Sequence, residues 1–133
     1  MLASRLALAA VAIVVCLWFA LGVRQAHDTA AAQAALSHPA SLTAAEVARV
    51  NGLLRGARTL NPDRTVAQLQ AQLDGLAGDP RRAAAVVEGV VAAEPQNIGA
   101  WLLLELETDG RNAALNREAG LRVRELAPPV PSP

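Results

Sequence analysis

The chain opens on an unbroken apolar run, Leu6 to Val23, with no charge between Arg5 and Arg24. As a helix rising 1.5 Å per residue it covers about 27 Å, enough for a hydrocarbon core of roughly 30 Å once flanking residues snorkel. The pattern predicts a membrane helix over 6–23, preceded by a short tail over 1–5. After Arg24 the stretch QAHDTAAAQAAL holds strong helix formers and no breaker, so the helix should continue as a stalk to about Leu36. Residues 37–41, with Pro39, then make a turn, and 24–41 reads as stalk and turn.

Beyond the turn, apolar residues recur at helical spacing. Thr43 and Glu46 fit a capping box opening a helix with the stripe Val47, Val50, Leu54 and Ala57, flanked by Leu53 and Leu60 and ended by Asn61-Pro62. Thr65 to Leu76 places Val66, Leu69, Leu73 and Leu76 on one face and stops at Gly78. Asp79 caps a helix with Pro80 at its first position, which runs to about Ala93 with Ala83, Val86 or Val87, and Val90 inward. Pro95-Gln96-Asn97 breaks the chain before a short helix, Ile98 to Glu107, carrying Trp101, Leu102 and Leu104 and stopped by Gly110. Asn112 caps the last helix, through Leu115, Ala119 and Val123 to Leu126. The prolines of 129–133 predict an extended tail. Residues 42–128 thus form one displayed domain. Since β-branched residues come singly or as valine pairs, the expected class is all-α, a transmembrane helix followed by antiparallel helical hairpins.

Composition narrows the chemistry. Twelve basic residues balance twelve acidic ones, so nothing favours nucleic acid. Every basic residue is arginine and alanine is abundant, a mark of GC-rich coding, expected of a high-GC bacterium. Clusters of either are therefore weak signals. Tyrosine is absent and Trp101 is the one aromatic beyond the apolar run, so the core must be aliphatic. Cys16 has no cysteine to pair with, and Ile13-Val14-Val15 before it lacks the small residue of a lipobox; it faces lipid or packs. His27 and His38 lack the i, i+4 spacing of a helical metal site. No phosphate loop or nucleophile elbow occurs. Glu105, Glu107 and Asp109 read as a solvated face rather than an acid or cation site. The expectation is no enzyme, no cofactor and no metal.

An internal repeat ties the helices together. Pro62, Pro95 and Pro128 each follow a helix end, thirty-three residues apart, the signature of stacked helical hairpins. The stretch Gly78 to Asn97, GDPRRAAAVVEGVVAAEPQN, resembles the end of a tetratricopeptide repeat. In that resemblance Gly78 and Asp79 match the hairpin turn, Ala83 the small packing position, Pro95 the terminal proline, and Trp101 and Leu104 the motif's tryptophan and leucine. The chain departs from the pattern where Glu105 replaces a glycine, Thr108 a tyrosine, and Ala71 and Gly75 a leucine and a tyrosine. The period is also one short of the family's roughly 34 residues. About Asn61 to Pro128 carries the likeness, a degenerate array of two to three units whose first helix would be the stalk. One anchor plus such an array is similar to short single-pass tetratricopeptide proteins of actinobacteria, which implies a protein partner.

If first helices line a concave face, Val66, Leu69, Leu73, Leu102 and Leu106 would form an apolar groove for a partner's helix or extended peptide. The competing expectation is that these leucines close the core or meet the stalk. Ala12, Cys16 and Ala20 make a small-residue face for another membrane helix. The leading expectation is a membrane-tethered adaptor that binds or positions a protein at the cell envelope, with self-association open. The alternatives are a small structural subunit held through its membrane helix, or an exported binding module if the run is a cleaved signal peptide, with Ala20-Leu21-Gly22 as the site. The amino terminus and Arg5 against Arg24 and Asp28 favour an extracytoplasmic domain.

Overall fold

The computed structural model describes residues 2–37, 42–58 and 64–127, with side chains from residue 8 onward. Leu60, Pro62, Pro128, His38 and the tail over 129–133 lie outside the described residues. Six helices account for the rest: α1 (Leu2–Leu36), α2 (Ala44–Arg58), α3 (Thr65–Leu76), α4 (Pro80–Ala93), α5 (Ile98–Thr108) and α6 (Ala113–Leu126). No strand occurs among the described residues, so the all-α expectation holds. The helices pair in sequence as three hairpins, α1 with α2, α3 with α4 and α5 with α6. Each later hairpin packs its first helix on the pair before it.

Local chemistry fixes the helix ends. The Thr43 backbone N–H donates to the Glu46 carboxylate at 2.7 Å, and the Glu46 N–H donates back to Thr43 Oγ1 at 3.3 Å. The Thr43 N–H, together with the Thr43 hydroxyl, which donates to the same carboxylate at 2.8 Å, holds the Glu46 carboxyl below its ordinary value. Asp79 accepts from the Arg82 N–H, Asn97 from Ala100 and Asn112 from Leu115. Gly78 and Gly110 take positive φ, 88° and 66°, where a side chain would be strained. The repeat is visible in the coordinates, since α3 and α5 begin thirty-three residues apart, as do α4 and α6.

Two apolar clusters form the core. One joins Ala32 and Leu36 of α1, Val50, Leu54 and Ala57 of α2, and Val66, Leu69 and Leu73 of α3. The other joins Ala71 to Ala83, Val87, Val90 and Val91 of α4, Ala100, Trp101, Leu103 and Leu104 of α5, and Ala119 of α6. Trp101 and Leu104 are thus packing residues, and the Trp101 indole N–H donates to the Pro95 carbonyl at 2.9 Å, closing the turn ahead of α5. A polar chain bridges the first two hairpins. Gln70 donates to Asn51 of α2 at 3.1 Å and to the buried Asp74 at 2.9 Å, and Asp74 meets Arg82 of α4 at 3.2 Å.

The stalk is the first helix of the array. Gln25 Nε2 donates to the Ala57 carbonyl at 2.9 Å, and Gly56 lets α2 approach so closely that a Cβ there would lie 3.0 Å from the Asp28 carboxylate. Below Gln25 the same helix stands free of the domain, and its apolar side chains from Leu8 to Val23 are all exposed.

Candidate functional site

Three surfaces can engage something outside the chain. The largest is the free part of α1. It is long and apolar enough to cross a membrane, with a mean hydropathy of 2.0 and none of it buried, a property that a signal sequence shares. Ala12, Cys16 and Ala20 are exposed on it. At 100° per residue they lie on the side of α1 away from Gln25, and so away from α2. Trp18 stands two turns below Gln25 on the α2 side.

The second is what remains of the expected groove. Val66, Leu69 and Leu73 do not line a surface: they are 4%, 5% and 0% exposed and close the core against α1 and α2. The physical reason is the stalk, which supplies Ala32 and Leu36 as a lid over that face of α3. Leu102 and Leu106 are 49% and 67% exposed. They stand one turn apart on α5, beside Glu105, Asp109 and Asn116. Among the described residues nothing covers this face of α5 as α1 and α2 cover the equivalent face of α3. Leu76, expected inward, is also exposed, at the last residue of α3.

The third is a cleft of about 300 Å³ between α2, α3 and α4, rimmed by Arg55, Arg58 and Arg82 over a floor of Leu54, Val66 and Val86. Its arginines went unnoticed in the sequence because arginine is the only basic residue there. A signal was present: α2 has fifteen residues, about 22 Å, against about 20 Å of stalk beyond the apolar run, so an antiparallel α2 must end level with Arg24.

The three acids of α5 do not converge. Glu105 lies over Gly120 of α6 and Glu107 over Gly75 of α3, while Asp109 is exposed beyond the helix. The missing bulk at Gly75 is therefore the seat of a carboxylate. Burial pushes the Glu107 carboxyl above the usual range, against the opposing pull of Arg111. An acid raised in the folded state stabilises the fold below its unfolded value and loses that contribution as pH rises through the folded value. Glu107→Gln is accordingly expected to raise Tm at pH 7 by about 2 °C and to leave it unchanged near pH 3. Thermal melts of both proteins across pH check this, and equal curves at pH 7 would refute it. His27 is exposed beside Asp28, and among the described residues no cluster of His, Cys, Asp or Glu could hold a metal. Compared with protein families, with characterised proteins and with solved structures, the chain matches none.

Proposed function

We propose that the protein is a membrane-tethered adaptor, a degenerate tetratricopeptide-like array that positions a partner protein at the cell envelope without catalysis. The observation that carries the reading is the continuity of α1, whose exposed apolar part runs without a break into the first helix of the array. An anchor built this way holds the array rigidly against the bilayer rather than on a flexible leash. The same continuity supports retention over cleavage, because a peptidase acting after Gly22 would need extended chain where the helix leads straight to Gln25. The charge balance around the run supports an extracytoplasmic domain. The open face at Leu102 and Leu106 suits an amphipathic helix, with Glu105 and Asp109 favouring basic residues on its flanks.

The test is a photocrosslinking amino acid placed in native membranes at Leu106 and, as a control, at exposed Arg117. The expected result is one discrete adduct from Leu106 alone, lost when Leu102 is also changed to Gln, on a chain that resists alkaline extraction. Identical adducts from both positions would reject the docking face, and alkaline release would reject the tether. The second reading, a small subunit held through its span, draws on the exposure of Ala12, Cys16 and Ala20 on the side that α2 leaves clear. In that case Cys16→Leu should weaken partner retention while Leu106→Gln does not.

A further inference from the structure

The chain carries a helix of the kind that the open face of α5 suits. Leu121 of α6 is half exposed, with exposed Arg117 one turn before it and exposed Arg124 nearly one turn after it. Among the described residues neither arginine joins an ion pair. At 100° per residue both fall on the flank of Leu121 nearer to Asn116 and Gly120, whereas Glu118 and Glu125 fall on the other flank, Glu125 bound to Arg122 at 2.9 Å. The register between α5 and α6 is fixed by Glu105. Its carbonyl accepts from Asn116 Nδ2 at 2.7 Å and its carboxylate lies over Gly120. Counting from there along the antiparallel pair, Leu121 stands level with Leu102, and Arg117 with Leu106.

We infer that the occupant of the α5 face is α6 of a second copy, in a two-fold dimer that sets Leu121 of each chain against Leu102 of the other. The inference rests on the docking face and the span proposed above. A two-fold axis along the helices keeps every residue at its level. Leu121 of one copy then meets Leu102 of the other, and Arg117 enters between Glu105 and Asp109. Successive helices alternate in direction, so α5 runs in the sense of α1 and the same axis leaves both spans in one bilayer. An axis across the helices would point the spans in opposite directions, and α5 laid on α5 would set acids against acids. The contact is small, and confinement of both copies to one membrane compensates by raising their effective concentration. Because the contact is made twice, each substitution acts twice.

Disulfide trapping in native membranes tests the arrangement. Full chains with Cys16→Ser and either Leu102→Cys or Leu121→Cys are expressed together or singly and oxidised, and dimers are measured on non-reducing gels. A dimer is expected from the two chains together and not from either alone. Adding Arg117→Glu to both should cut its yield about tenfold, since two ion pairs become two repulsions. Asp109→Arg beside that change should restore it, which separates lost pairing from a damaged fold. No dimer from the pair, equal dimers from a single chain, or a yield indifferent to Arg117→Glu would overturn the second copy as occupant. The photoadduct at Leu106 distinguishes this failure from failure of the docking face. A mass of two chains supports the dimer, a mass of one chain plus a different protein keeps the face and overturns the dimer, and no adduct removes both. A crosslinker at Arg117 takes that charge from both contacts and with it the dimer, in keeping with an adduct from Leu106 alone.

Discussion

A chain that begins at Ser37 is expected to lose the cooperative fold of its first half, whereas one that begins at Arg24 keeps it. Residues 25–36 of α1 give the array Ala32, Leu36 and the bond from Gln25 to Ala57. Without them Leu54, Val50, Leu69 and Leu73 lose the surface that covers them. At about 1.5–3 kcal/mol for each large aliphatic side chain returned to water, the loss is on the order of 5 kcal/mol, comparable with the whole stability of a small domain. Circular dichroism melts and dye binding to exposed apolar surface separate the outcomes. The Arg24 chain should melt in one transition, and the Ser37 chain should bind dye and melt broadly or below 37 °C. Matching melts would mean that α1 is a passive tether, and the rigid-anchor argument would fall with it.

The helices and their ends were legible in the sequence because each is marked locally. Thr43 and Glu46, Asp79 with Pro80, and Asn112 act within one turn of the residue that they cap, and the valine and leucine spacing reports one buried face per helix. The hairpin pairing was legible because the prolines repeat at the length of one unit. The groove was not, because spacing states that a face is apolar without stating what covers it. Leu69 and Leu102 occupy the same position thirty-three residues apart, yet one is buried beneath α1 and the other is open. The stalk covers α3 from one side, and among the described residues nothing covers the outer face of α5.

That difference between equivalent positions carries the second large effect. Leu73 is wholly buried between three helices, and Leu106, thirty-three residues on, is two-thirds exposed. Leu73→Ala removes buried methyl groups and leaves a cavity among α1, α2 and α3, at an expected cost of about 2–5 kcal/mol. Leu106→Gln removes a side chain already in water and should change stability by no more than about 0.5 kcal/mol. Urea unfolding of the Arg24 chain measures both, with a lower midpoint at unchanged slope for Leu73→Ala. A cost below about 1 kcal/mol at Leu73, or equal costs at the two sites, would show that α1 does not seal α3. The comparison also governs how partner binding is read. A loss of binding after any change at Val66, Leu69 or Leu73 reports an opened core, whereas a loss after Leu102→Gln/Leu106→Gln in a chain of unaltered stability locates the contact on α5.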